Sequence, residues 1–116
     1  MPRTVKVTLN GTDWNMPVSF AVSKEIAEQI GDPLKLAIES HRTGTVPFSS
    51  GQVVKTISIG VRAAGCGLSE DAIGEAIFEV GLVEYLQVAS EYIGAMVSGG
   101  PEKTVAAGGK KKTQAG

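Results

Sequence analysis

The sequence predicts an α+β fold, mainly α, in which an N-terminal β-hairpin packs on a small bundle of about five helices and a disordered C-terminal tail follows. Three observations predict it. Two runs near the N-terminus alternate apolar and polar residues around an Asn-Gly pair, apolar residues then recur at helical spacing between cap residues, and residues 99–116 carry no core-forming pattern.

The hairpin spans 4–20. In "TVKVTL" Val5, Val7 and Leu9 share one face, and after Asn10-Gly11 the run "WNMPVSF" puts Trp14, Met16, Val18 and Phe20 in alternation. Asn-Gly supplies the positive φ values of a tight turn. Pro17 lacks an amide hydrogen and therefore belongs at an outward, unpaired edge position. A lone hairpin is marginal in water, so its apolar face must lie on the helices that follow.

Ser23 is expected to cap a helix over 23–30, with Ile26, Ala27 and Ile30 inward and Gly31 as its stop. Asp32-Pro33 restarts the chain as N-cap and first helical residue of a helix over 33–42 carrying Leu34, Leu36, Ala37 and Ile38. Ser49 and Gln52 form a capping box for a helix over 50–64, in which Val53, Val54, Ile57, Val61 and Ala64 recur at helical spacing and Gly60 admits a close neighbour. The stretch "GVRAAGCGLSED" then reads as a corner. Gly65 and Gly67 end one helix in left-handed geometry, Leu68 packs back, and Ser69 caps the next, over 70–80. Gly81 interrupts, and the last helix spans 82–97. Residues 1–98 thus read as one globular domain and 99–116 as a flexible Gly/Lys-rich tail.

The residue inventory argues against catalysis. A phosphate loop needs Lys-Ser/Thr after its second glycine and a strand before it, whereas the glycine corner has neither and acids follow it. Cys66 is the only cysteine and His41 the only histidine, placed on different elements, so neither a Cys-His nucleophile pair nor a protein zinc site can be assembled. Glu75 and Glu79 at i,i+4 read as solvated charges. No catalytic, cofactor-binding or metal-binding residue is assigned. No apolar run is long enough to span a bilayer, and an unpaired cysteine without a leading apolar segment suggests a reducing, intracellular setting. A net charge of −1 disfavours a dedicated nucleic-acid binder.

Charge is unevenly distributed. Between Cys66 and Gly100 stand six acids and no Lys or Arg, while Lys103 and Lys110 to Lys112 make the tail basic. On the last helix Leu82, Leu86, Ala89, Ile93 and Met96 form one apolar stripe and Tyr85, Val88 and Tyr92 a second beside it, with Phe78 off the main stripe of the preceding helix. So wide a face serves either a core poor in aromatics or a partner-binding groove. A partner contact on Phe78, Tyr85, Val88 and Tyr92 is the reading carried forward, under which Tyr85→Ser and Tyr92→Ser weaken binding and leave the fold intact.

The order of elements, with "NG", "IGDP", "VPFSS" and above all "VVKTISIGVRAAGCGLSEDAIGEAIFEVGL", resembles the tail assembly chaperones of long-tailed phages and gene transfer agents over residues 4 to 98. The resemblance implies a non-enzymatic factor in the cytoplasm of a bacterial host. Such a factor binds and solubilises the tape-measure protein during tail assembly and is absent from the mature particle. It also implies a longer, frameshifted form engaging the tail tube protein, for which "GGKKK" is suggestive. Neither a homo-oligomer nor a structural tail or connector protein retained in the virion conflicts with the residues. A weak nucleic-acid accessory module acting through the basic tail is a third reading.

Overall fold

The computed structural model describes residues 3–44 and 46–98. The elements run β1 (Thr4–Leu9), β2 (Thr12–Pro17), α1 (Phe20–Gln29), α2 (Pro33–Thr43), α3 (Ser50–Ala63), α4 (Glu70–Val80) and α5 (Leu82–Ser98). This is the expected hairpin on five helices. The expected tail over 99–116 lies outside the described residues.

The strands pair antiparallel with Leu9 opposite Thr12, so the loop is Asn10-Gly11 alone, and both residues have positive φ (55° and 79°). That geometry matches the twist of the strands it joins. Val7, Leu9 and Met16 point into the core, and Trp14 is half-buried beside them. On the solvent face the Thr8 hydroxyl donates to Asp13 (2.7 Å) and Lys6 lies 3.6 Å from the same carboxylate, so hydrogen bond and charge together lower the Asp13 pKa. Phe20 does not extend β2 as its alternation suggests. It begins α1 and is 82% exposed, because Ser19, four residues before Ser23, is the cap, its hydroxyl accepting from the Val22 amide. The earlier start rotates the helix so that Val22 and Ile26 face inward and Ala27 faces solvent.

Asp32 caps α2 through the Leu34 amide, Pro33 takes the first helical position, and Gly44 closes the helix at φ 95°. The capping box of α3 is complete: Ser49 Oγ accepts from the Gln52 amide and Gln52 Oε1 accepts from the Ser49 amide. Ser49→Ala is expected to cost about 1 kcal/mol, read as a lower urea midpoint at unchanged slope.

α3 is the central element, packed against α1, α4, α5 and β2. Every residue from Thr56 to Val61 is buried, more of the helix circumference than an amphipathic surface helix covers. Gly60 makes this packing feasible, since a Cβ there would overlap the Met16 thioether and stand 2.9 Å from Tyr92 Cε2. α3 ends in a Schellman motif: the Cys66 amide donates to Val61 O (2.9 Å) and the Gly65 amide to Arg62 O (3.0 Å), with Gly65 at φ 107°. Only Gly65 adopts positive φ here; Gly67 does not. The side chain closing the corner is Cys66, 7% exposed and buried as Val61 is, while Leu68 stays 36% exposed. The residue directly after the left-handed position points back at the last helical turn, and that residue is Cys66.

Candidate interaction surface

α5 is positioned by hydrogen bonds that reach back to the hairpin. Tyr85 Oη donates to Thr8 O (2.7 Å) and Tyr92 Oη to Pro17 O (2.5 Å), one carbonyl on each strand. An Arg3 guanidinium nitrogen donates to Ala95 O (2.5 Å), so the helix lies along the hairpin from its loop end to its open end. Tyr85 is 5% exposed and Tyr92 0%. Neither ring is accessible to a partner of the folded chain, which withdraws both from the contact expected on them. Their apolar stripe faces the hairpin, a neighbour that helical periodicity alone does not reveal. Val88 is half-buried, on the wall of a cleft shared with Val80, Tyr85 and the β1 residues Lys6 to Thr8. Phe78 is the member of the four that stands in solvent, at 63% exposure.

Burial raises the pKa of Tyr85, helped by the charge of Glu84, and raises that of Tyr92 further, helped by Glu25. A phenol whose folded pKa exceeds the ordinary 10.0 holds its proton more tightly folded than unfolded. Its contribution is therefore complete below about pH 10 and is lost as pH rises beyond that, because the unfolded chain ionises first. These are the only two tyrosines. In an alkaline titration, phenolate absorbance and loss of helical circular dichroism should rise together, above the ordinary tyrosine range; phenolate appearing with helicity intact would place a ring at the surface.

Among the described residues, apolar surface stays open at two places besides Phe20 at the start of α1. One is a trough between α2 and α5, walled by Leu34, Ala37 and Ile38 on one side and Ser90, Ile93 and Val97 on the other. At Ser90 it meets a second hollow lined by Val83 and Leu86. The Ser90 hydroxyl is buried there with no hydrogen-bond partner among the described residues. The other surface is the α4–α5 corner, where Phe78 and Val80 are 63% and 58% exposed. Leu34 and Ile38, two of the four apolar residues that mark α2 in the sequence, are 54% and 55% exposed. The available signal was their i,i+4 spacing beside Leu36 and Ala37, which makes the apolar arc of α2 wider than its contact with α5 needs.

Among the described residues no group of His, Cys, Asp and Glu is arranged to hold a metal ion, and no helix is long and apolar enough to cross a membrane. Cys66 is buried in the corner and His41 is exposed on α2, so the structure does not bring them together. What the fold offers to solvent is apolar surface with charged rims, the kind of surface used for contact between proteins.

Residues 3–99 match the model of the family described as phage tail tube protein, GTA-gp10, and the chain belongs to that family. Comparisons with curated proteins and with solved structures return no significant match. The phage and gene-transfer-agent tail setting inferred from the sequence therefore stands, but the role inferred with it does not. A match to a tube family overturns the assignment as a tape-measure chaperone absent from the virion, because a tube is a structural part of the particle. The resemblance rested on cap and packing residues, which specify an arrangement of helices and carry no information on when the chain leaves an assembly. Membership points to other tail proteins as partners.

Proposed function

We propose that this chain is a structural, non-enzymatic protein of a phage-type tail tube, retained in the particle after assembly in the cytoplasm of the bacterial host. The family match over residues 3–99 carries this reading. The two open apolar surfaces support it, since a subunit of a polymeric tail must leave apolar surface uncovered until its neighbours arrive. Its neighbours are other tail proteins, among them the tape-measure protein enclosed by such a tube. Quantitative mass spectrometry of purified tails tests the reading. The chain should be present in many copies per particle; abundance in the lysate together with absence from finished tails would overturn it.

A further inference from the structure

We propose that the cleft between α1, α3 and α4 is a binding site for a single carboxylate, with Arg62 and Ser58 as the residues that take it. The site is independent of the tube reading. Lys55, Ser58 and Arg62 follow one another along α3 at spacings of three and four, so they share one helix face, and that face lines the cleft. Glu25 and Gln29 line it from α1, and Glu70, the first residue of α4, lines it from the far side of the corner.

Hydrogen bonding within the cleft leaves two donors over. Gln29 Nε2 donates to Glu25 (3.0 Å) and Lys55 Nζ to Glu70 (2.8 Å), so each carboxylate has a donor and the ammonium has its counter-charge. Arg62 forms no ion pair among the described residues, although both carboxylates line the same cleft. Ser58 is 2% exposed, and its hydroxyl has no hydrogen-bond partner among the described residues. A buried hydroxyl left unpaired is costly and rare. This one lies a single helical turn from a guanidinium, an arrangement in which one carboxylate can accept from the planar fork of Arg62 and from the Ser58 O–H together.

The surroundings narrow the ligand. A neutral carbonyl would satisfy Ser58 and leave the guanidinium charge unbalanced, while a doubly charged anion such as phosphate would be repelled by Glu25 and Glu70. Only Ile59 and Ala63 among the lining residues are apolar, so the cleft has no wall for the body of an apolar molecule and takes a head group. An acidic side chain of a neighbouring protein and a small free carboxylic acid both carry that group.

The test uses the full chain labelled with nitrogen-15 and, at constant ionic strength, acetyl-Gly-Glu-Gly-amide as the probe, with its Gln analogue and inorganic phosphate for comparison. The Arg62 Nε–H resonance and the amides of α1 and α3 beside the cleft should shift saturably with the Glu peptide and move little with the other two. Arg62 is exposed, so its variants should keep the wild-type circular dichroism. Arg62→Gln should weaken binding at least about tenfold. Arg62→Lys, which keeps the charge and loses the fork, should fall between the two. Ser58→Ala should also weaken binding while its urea midpoint stays level or rises, because it removes a hydroxyl that bonds nothing within the fold. The site is overturned by shifts that do not saturate, by shifts that survive Arg62→Gln, or by an equal response to phosphate or to the Gln peptide; a lowered midpoint with unchanged binding in Ser58→Ala overturns the part given to that hydroxyl. The copy number of the Arg62→Gln chain in purified tails separates the two sources of the ligand. A fall identifies an acidic side chain of a tail protein, and an unchanged number beside a positive titration identifies a free carboxylic acid. Absence of the wild-type chain from tails would remove the tube reading and leave the titration result standing.

Discussion

Tyr92→Ala is expected to destabilise the fold by about 3–5 kcal/mol, a large share of the roughly 5–15 kcal/mol that holds a domain of this size. The ring is fully buried, against α3 at Gly60 and against the hairpin, and its hydroxyl ties α5 to Pro17 O, 75 positions away in sequence. Deleting it opens a cavity where hairpin, α3 and α5 meet and leaves a carbonyl at the strand end without its donor. Tyr92→Phe isolates the second effect. It keeps the ring and should cost about 1–3 kcal/mol, the penalty for stranding a hydrogen-bonding group. Urea unfolding of the three proteins should rank wild type above Tyr92→Phe above Tyr92→Ala; an unchanged midpoint for the alanine variant would remove the ring from the core and return it to the surface.

Gly60→Ala should also destabilise, by about 1–3 kcal/mol, although glycine is the poorer helix former by about 1 kcal/mol. The added methyl would stand 2.9 Å from Tyr92 Cε2 and overlap the Met16 thioether. Met16 is fully buried, so its side chain has little room to move aside, and the hairpin or α5 must shift. Gly94→Ala on α5 is the contrasting case. Nothing lies within 4 Å of a Cβ built there, and the change should stabilise by up to about 1 kcal/mol. Opposite signs for one substitution at two helical glycines, measured by the same urea unfolding, would show that packing at Gly60 outweighs propensity; two stabilising results would mean that α3 and the hairpin do not press together there.

Much of the fold was legible because its signals are local. Asn10-Gly11, Asp32-Pro33, the Ser49 and Gln52 box and Ser69 before Glu70 each act within four residues, through a backbone angle or a side chain reaching a nearby amide. Where two local signals competed, reading them failed. Ser19 and Ser23 are both credible caps, and the choice fell to Ser19 because the chain leaves β2 at Pro17 and must turn at once. Likewise Gly65 and Gly67 are equivalent in sequence, and only the end of α3 decided which takes positive φ.

The candidate surface was less legible, for a reason that α5 makes concrete. Periodicity identifies which residues share a helix face but not what covers that face. The second stripe, Tyr85, Val88 and Tyr92, is as apolar as a docking surface and turned out to lie under the hairpin, its two hydroxyls donating to carbonyls 75 and 77 positions away. Leu34 and Ile38 look like core residues and face solvent. By itself the sequence determined the kinds of element, their order and most of their ends, since these follow from torsional preference and bonding within a turn or two of chain. Only the tertiary structure decided which apolar faces are spent on the core and which stay open, because burial depends on elements distant in sequence being brought together.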